Sequence, residues 1–295
     1  SLPIYIGHFA PSPTGPLHIC SLLTALASWC DARAKQGKWL LRIEDVDTTR
    51  IQQGAVDHIF RSLEHFGLTW DDEVVYQSQR TALYQQALQL LEQQQAIFWC
   101  NCTRSQLAQT GQALYTGTCR HQLHYQPACA ARVLVPSSTY IQFEDRVFGN
   151  QYEYLSQTVG DFVIYRRDAL FAYQLAVVVD DAAQGITHIV RGADLLDNTS
   201  RQIYLQQQLG CPRINYAHLP LIVNHLGEKL SKQTGATALD LTTNPSPVLW
   251  QLLGLLGQHP PSCLQFSAKD ELLMWAIAHW QFANIPKQLK LEHIF

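Results

Sequence analysis

The sequence of 295 residues predicts an α/β fold that begins with a parallel βαβ unit. The segment IYIGHFA, residues 4–10, is apolar and partly β-branched, as in a buried strand. After a turn, SLLTALASWCDARAKQGKW has apolar residues at helical spacing, and WLLRIEDVD then predicts a second short strand that ends in acidic residues. Strand, helix and strand in this order are typical of a parallel sheet covered by helices.

The first helix is predicted from the helical step that runs from Leu22 to Arg33. Ser21 is its predicted N-cap and Gly37 its predicted stop. Later segments return to the same pattern, with strands in ITHIVRGADL and HLPLIVN and a helical tail after them. The remaining predicted helices cover residues 52–67, 79–95, about 198–209 and much of 245–295.

Composition limits the classes of function. The chain is 47% hydrophobic and 15% charged, so it can bury a sizeable core. Its net charge of -3 argues against a generic nucleic-acid-coating protein, and any RNA contact must come from a local patch. We expect no DNA partner and no membrane partner, because no segment approaches the roughly 20 apolar residues of a membrane span. Without a recognisable signal peptide, the expected location is the cytoplasm.

A turn rich in proline and glycine, FAPSPTGPLHICS, separates the first strand from the first helix. In open α/β sheets ligands bind at the carboxyl ends of the strands, and helix N-termini attract phosphates. His18 lies just before the helix, where it can donate a hydrogen bond to a phosphate oxygen. The alternative for a single histidine of this kind is a surface residue in a turn.

The turn resembles the HIGH-type signature of class I aminoacyl-tRNA synthetases, in the form of their glutamate and glutamine branch. Residues 228–233, EKLSKQ, resemble the KMSKS loop that follows a later strand in this class. The resemblance implies a Rossmann-type catalytic domain that binds ATP with Mg²⁺, and His18 and Lys232 as catalytic residues. The implied ATP site consists of Pro11, Thr14, Gly15, His18, Cys20, Lys229, Ser231 and Lys232.

Three further motifs resemble the glutamate branch: RIEDVD with Glu44, LFAYQLAVVVDD with Tyr173, and IVRGADL with Arg191. A carboxylate at a strand end can accept hydrogen bonds from a substrate ammonium, and a guanidinium can hold a carboxylate through two parallel bonds. The resemblance implies that L-glutamate is bound by His8, Phe9, Ala10, Pro11, Ser12, Glu44, Tyr173 and Arg191.

Structural roles are the alternative for the two charged residues of this set. Glu44 can form a strand-end salt bridge to Arg42 or Arg50, and Arg191 can pair with Asp194.

Two positions depart from the family pattern. His8 stands where the family has an arginine that helps to hold the substrate, and Cys20 stands where it has a glycine close to the nucleotide. Histidine is shorter and often neutral at pH 7, and a Cβ at position 20 can crowd the adenosine. We expect either change to weaken activity.

Three cysteines lie close together in the sequence, at positions 100, 102 and 119. Three thiolates within twenty residues of a loop-rich segment suit a structural, tetrahedral Zn²⁺, and inert buried cysteines are the alternative. The pattern matches the glutamyl-Q branch of the family, which implies Tyr115 as a fourth ligand. The implied set is therefore Cys100, Cys102, Tyr115 and Cys119, with His121 and His124 as rivals for the fourth place.

The predicted organisation is a catalytic domain interrupted by an insertion. Residues 1–98 form its first half, 99–165 the zinc-bearing insertion, 166–240 its second half with the KMSKS-like loop, and 241–295 a short helical tail. Only about sixty residues follow the loop, fewer than the anticodon-binding region of a full glutamyl-tRNA synthetase needs. This favours the glutamyl-Q branch.

The resemblance to that branch implies that the protein activates glutamate with ATP without tRNA. It also implies that the glutamate is then transferred to queuosine in the anticodon stem-loop of tRNA(Asp). The alternatives are a glutamate-activating ligase for another acceptor and a catalytically weakened RNA-binding paralogue, which the departures at His8 and Cys20 would favour.

Overall fold

The computed structural model describes residues 4–230 and 238–293. The strands in this part of the chain are β1 (Ile6–Phe9), β2 (Lys38–Ile43), β3 (Val75–Tyr76), β4 (Ile97–Cys100), β5 (Ala130–Val133), β6 (Tyr140–Asp145), β7 (Gly149–Tyr154), β8 (Phe162–Tyr165), β9 (His188–Gly192), β10 (Asn215–Leu219), β11 (Leu221–Val223) and β12 (Lys290–Glu292). The α-helices are α1 (Ile19–Ala34), α2 (Ala55–His65), α3 (Thr81–Gln93), α4 (Arg104–Gln109), α5 (Leu155–Thr158), α6 (Tyr173–Ala183), α7 (Thr199–Leu209), α8 (Ser246–Leu255) and α9 (Lys269–His279).

A parallel layer of strands forms the centre of the fold. β1 pairs in parallel with β2, β2 with β3, and β9 with β10. The two groups meet where the amide of Thr187, just before β9, donates to the carbonyl oxygen of Ile6 at 2.9 Å. The predicted βαβ unit is therefore confirmed, and so is the α/β class. None of the described helices has the length and apolarity that crossing a membrane requires.

The ends of α1 differ from the prediction. The helix begins at Ile19 with His18 at its N-cap, so Ser21 lies in its first turn and is not the cap. The chain leaves the helix through Gln36, whose φ of 55° is left-handed. Gly37 has a separate reason, since a Cβ there would lie 2.3 Å from the carbonyl oxygen of Tyr5.

A second, antiparallel sheet contains β5 between β4 and β8. Its strands come from residues 97–165, the region of the predicted insertion. The hairpin of β6 and β7 comes from the same stretch but reaches the central layer, where Asp145 pairs with Tyr216 of β10. The domain boundaries given above stay a prediction.

The tail packs on the first half of the catalytic domain. Its helices α8 and α9 share a core with α1 and β2, through residues such as Leu253, Leu273 and Leu26. The tail is not wholly helical as predicted, because β12 pairs in parallel with β11. The short segment KLE is too brief for a helix, and β11 offers it an open strand edge.

Candidate active site

A cavity of about 460 Å³ opens at the carboxyl ends of β1, β2, β9 and β10. This edge is where ligands bind in open α/β sheets. Ser231 and Lys232 lie outside the described residues. The cavity brings together all the other predicted glutamate and ATP residues: His8, Phe9, Ala10, Pro11, Ser12, Thr14, Gly15, His18, Cys20, Glu44, Tyr173, Arg191 and Lys229.

The loop between β1 and α1 is held by its backbone. Pro11 and Pro13 accept hydrogen bonds from the amides of Glu44 and Gln52, each at 2.9 Å. His18 lies at the N-terminus of the 16-residue helix α1, beside the cavity. Its Nδ1 is buried and has no hydrogen-bond partner among the described residues. A helix N-terminus with an adjoining imidazole suits an anionic ligand.

Arg191 is a buried cation that bonds only neutral groups in the described part of the chain. Its side chain donates to Gln202 Oε1 at 2.8 Å, to Thr199 Oγ1 at 2.9 Å and to His218 Nε2 at 3.1 Å. Asp194 pairs instead with Lys229, at 3.0 Å, so the alternative of an Arg191–Asp194 salt bridge is wrong. A buried charge normally has a counter-ion, so this guanidinium is ready for an anion from the cavity.

His218 is neutral because of its surroundings. Burial lowers its pKa, although Asp145 opposes the shift. Its Nδ1 lies 2.6 Å from Asp145 Oδ1. The Nδ1 atom therefore carries the proton, which leaves Nε2 as the acceptor that Arg191 needs.

Glu44 adjoins a buried group of charges. Arg42 is fully buried, and it lies 3.5 Å from Glu44 and 2.6 Å from Asp181. Thus the strand-end contact between Arg42 and Glu44 exists, whereas Arg50 pairs with Asp47 at 3.5 Å. Gln77 donates to Glu44 Oε2 at 3.1 Å, and the carboxylate still reaches the cavity.

Burial raises the pKa of Glu44 to about 8. Arg42 lowers it, but Asp180 and Asp181 add to the rise. The carboxyl group is therefore largely protonated at pH 7 without a ligand. A cation bound beside it would favour the ionised form.

His8, which stands where the family has an arginine, contacts an aspartate behind the cavity. Its Nε2 lies 3.1 Å from Asp181 Oδ1, and its buried Nδ1 has no hydrogen-bond partner among the described residues. Tyr173 begins α6 at the other side of the cavity. Burial raises the pKa of the Tyr173 hydroxyl, which therefore stays protonated and able to donate.

Sequence reasoning missed the residues behind the cavity. Asp180 and Asp181 end an otherwise apolar helix segment, and His218 lies in a buried strand. Polar residues in such apolar runs are the signal that identifies them. Asp145 gave no comparable signal, because it ends a strand of alternating exposure.

The three cysteines of the predicted metal site come together. The sulfur atoms of Cys100, Cys102 and Cys119 all lie within 4.8 Å of one another. The Tyr115 oxygen lies 3.8 Å from Cys102 Sγ and accepts from the amide of Cys119 at 2.9 Å. Neither His121 nor His124 belongs to this group. The donor set therefore fits one tetrahedral metal ion, with Tyr115 as the nearest fourth group.

Comparison with known proteins agrees with this geometry. Residues 7–279 match the family model of the catalytic domain of class I tRNA synthetases (E and Q). The chain is 52% identical to the glutamyl-Q tRNA(Asp) synthetase of Thiobacillus denitrificans, over 95% of each chain. It is 49% identical to that of Aromatoleum aromaticum, over 98% of this chain and 93% of the relative.

A solved structure is similar over nearly the whole chain. The glutamate-tRNA synthetase of Elizabethkingia anophelis superposes with a TM-score of 0.81 at 25% identity, over 97% of this chain and 67% of that one. The full-length similarity to the first two relatives is the more specific result. The chain therefore belongs to the glutamyl-Q tRNA(Asp) synthetase family of class I aminoacyl-tRNA synthetases.

Proposed function

We propose that this protein activates L-glutamate with ATP in the absence of tRNA and transfers it to queuosine in the anticodon loop of tRNA(Asp). The main support for glutamate binding and activation is the environment of Arg191. This buried cation has no acidic partner among the described residues. It lines the same cavity as Glu44 and the loop between β1 and α1. The names of the relatives support the acceptor.

The cavity has complementary groups for the two ends of glutamate. Arg191 binds the side-chain carboxylate, and Glu44 accepts from the α-ammonium. The Tyr173 hydroxyl and His8 border the same space, together with the backbone of residues 9–12. The α-carboxylate stays unpaired, so it is available for the reaction.

Activation joins this carboxylate to the nucleotide. One of its oxygens attacks the α-phosphorus of ATP, the bond to the β-phosphate breaks, and the electron pair leaves with pyrophosphate. His18 donates to a phosphate oxygen, and the helix N-terminus beside it stabilises negative charge. Mg²⁺ bound with ATP neutralises part of the phosphate charge. The roles of Ser231 and Lys232 rest on the KMSKS-like motif, in which Lys232 neutralises the departing pyrophosphate.

The cysteine cluster has a structural role in this proposal. Cys100, Cys102, Cys119 and Tyr115 hold one Zn²⁺, and four protein ligands leave no place for a reactive water. The metal would fix the end of β4 against the loop that carries Cys119.

The proposed acceptor is an RNA, tRNA(Asp). The family names tRNA(Asp), and ATP, glutamate and tRNA are all cytoplasmic substrates, so we place the enzyme in the cytoplasm. The modest net charge of -3 suits a small RNA footprint with few phosphate contacts.

The direct test of activation is glutamate-dependent exchange between pyrophosphate and ATP, measured without tRNA. We expect exchange with L-glutamate and far less with L-glutamine, which has no charge for Arg191. An enzyme without such exchange would support the weakened, RNA-binding paralogue. Exchange without transfer to tRNA(Asp) would support a ligase for another acceptor.

A further inference from the structure

A second cavity, which we call the aromatic slot, contains none of the residues assigned above. It has a volume of about 360 Å³ and is lined by Trp99, Tyr125 and Tyr165 on one side and by residues of α3 on the other. This volume is in the range of small-ligand sites. No residue of the slot takes part in the proposed activation of glutamate.

The aromatic rings of the slot form a floor and two walls. Trp99 is buried, and the ring of Tyr125 stands at 89° to it with centroids 5.0 Å apart. The Tyr165 ring stands at 77° to Trp99, with centroids 6.0 Å apart. Tyr125 is 59% exposed, so its face is open to a ligand. Exposed rings of this kind stack on unpaired nucleobases.

The helix side of the slot carries polar groups suited to the edge of a base. Gln85 and Gln89 are exposed on α3, and both line the slot. Glu92 Oε2 accepts from Trp99 Nε1 at 2.7 Å, which fixes the carboxylate. Its second oxygen has no partner within the described residues, so it can accept from an exocyclic amino group. Adenine, cytosine and guanine have such a group, and uracil has none.

An exposed cation, Arg167, is held against the loop that carries Tyr125. Arg167 lies two residues after Tyr165, and its Nε donates to the carbonyl oxygen of Ala128 at 3.0 Å, three residues after Tyr125. Arg167 is exposed, and no carboxylate pairs with it in the part of the chain that the structure describes. Its contacts are to backbone carbonyl oxygens, so its positive charge is not neutralised by them. An aromatic surface beside such a cation is typical of single-stranded RNA sites.

The slot adjoins the active-site region through one layer of rings. Tyr165 packs on Phe171, and Phe171 packs on Tyr84, whose hydroxyl bonds Asp180 behind Glu44. We propose that the aromatic slot holds an unstacked, amino-bearing nucleobase of the RNA acceptor while another nucleotide is in the cavity. The inference rests on the proposed function, since it takes the acceptor to be RNA.

The test measures RNA binding and amino-acid activation separately. Fluorescence anisotropy of labelled single-stranded oligoadenylate and oligouridylate reports binding to the full-length protein at low salt. Tyr125→Ala should weaken oligoadenylate binding about 5- to 150-fold, the usual effect of removing one stacking ring. Tyr125→Phe should retain binding. Tyr152→Ala is the matched control, since Tyr152 is 67% exposed but lies on β7, in a different sheet, and does not line the slot.

Glu92→Gln tests recognition of the base edge. We expect wild-type protein to prefer oligoadenylate over oligouridylate, and the variant to lose that preference. Glutamate-dependent exchange without RNA should be unchanged in all of these variants. Equal RNA binding by Tyr125→Ala and wild type, or no binding of either oligonucleotide by wild type, would overturn the slot. If the wild type showed no glutamate-dependent exchange but the RNA-binding results were as expected, the proposed activation would be wrong and the proposal for the slot would still hold.

Discussion

Single residues decide what the cavity can bind, and Arg191 shows how. Its three partners are all uncharged, and the nearest predicted acid, Asp194, is occupied by Lys229. The guanidinium is therefore oriented without being neutralised. A bound carboxylate supplies the missing charge, and charge-assisted paired bonds to it are strong and directional.

The orientation of Arg191 depends on a residue that never touches the cavity. Asp145 fixes the proton of His218 on Nδ1, so Nε2 accepts from Arg191. In Asp145→Asn the amide can donate to Nδ1, which would place the proton on Nε2 against the guanidinium. We expect glutamate to bind about 5- to 150-fold more weakly, from 1–3 kcal/mol for a mismatched buried donor, with the KM for ATP unchanged.

The matched control for Asp145→Asn is Asp161→Asn. Both aspartates are 2% exposed, but Asp161 pairs with Arg120 beside the second sheet. The same chemical change there should lower stability without affecting the KM for glutamate. If Asp145→Asn kept the wild-type KM, the orienting role would be excluded.

The raised pKa of Glu44 predicts a pH dependence of substrate binding. The free carboxyl group has a pKa of about 8, so it is mostly protonated at pH 7. The α-ammonium binds the ionised form, so glutamate affinity should rise with pH, by up to about tenfold per unit, and level off above 8. Calorimetry at pH 7 in buffers of different ionisation enthalpy should detect proton release on binding. Affinity that is constant from about pH 6.5 to 9 would contradict this assignment.

The same shift has an opposite effect on the stability of the ligand-free protein. A carboxyl group whose folded pKa lies above its unfolded value contributes stability below the unfolded pKa, and this contribution is lost as pH rises through the folded pKa. The free energy of unfolding should therefore fall as pH rises from about 4.5, the ordinary pKa of a glutamate, to about 8, and level off above that. Glu44→Gln should remove both pH effects, which separates them from titration elsewhere.

Because His8 stands where the family has an arginine, we expect the substitution His8→Arg to increase the affinity for glutamate. His8 reaches only Asp181 within the described chain, at 3.1 Å, whereas a longer guanidinium can extend into the cavity. A charged hydrogen bond to a carboxylate is worth about 1.5–3 kcal/mol. His8→Arg should therefore tighten glutamate binding about 10- to 150-fold, as measured by equilibrium dialysis. An unchanged dissociation constant would show that the imidazole already supplies this contact.

At the scale of elements, hydrophobic period predicted most of the fold. Apolar spacing located α1, α2, α3 and α7, and apolar or β-branched runs located β1 and β9. The predicted strand HLPLIVN is divided in the structure between the end of β10 and β11. The errors lie at ends and edges. His18 displaced Ser21 as the N-cap because the helix starts as soon as the proline-rich turn ends. The pairing of β12 with β11 joins segments about 70 residues apart, and no local pattern encodes such a partner.

The proposed metal site at the cysteine cluster leads to a prediction for the region of the second sheet. Cys119→Ser should lose the single zinc ion and expose the segment after β4 to proteolysis, because one of four ligands is removed. Cys129→Ser is the matched control, since Cys129 is also buried near this sheet but is not in the cluster. Metal analysis and proteolysis are the measurements. A wild type that is folded and free of metal without chelator would exclude the site.

Tyr115 can be tested as the fourth ligand in the same assay. Tyr115→Phe removes only the hydroxyl oxygen, which lies 3.8 Å from Cys102 Sγ. We expect zinc to be lost to a competing chelator at a lower chelator concentration. Unchanged affinity would require a different fourth ligand.

At the scale of the whole molecule, sequence motifs predicted residues that line the candidate site, but they did not predict the contacts that depend on packing between distant segments. Glu44, Tyr173 and Arg191 came from motifs whose resemblance placed them in one pocket, and the cavity does contain them. Asp145 and His218 act through Arg191 from strands 73 residues apart, so only the folded chain shows the contact. The aromatic slot likewise combines α3, β4 and β8 with a loop, which no sequence window contains.

Activation of glutamate and its transfer to the acceptor should differ in their need for RNA. Every group assigned to activation lies in this chain, so exchange should not need RNA, and only transfer should depend on the acceptor. Labelled glutamate should appear on tRNA(Asp) that contains queuosine and not on the same tRNA without it. Periodate treatment is a poor control, because the cyclopentene diol of queuosine is cleaved along with the 3′ diol. Equal labelling of both tRNAs, or labelling of tRNA(Glu) alone, would instead indicate transfer to a 3′ end, as in an ordinary synthetase.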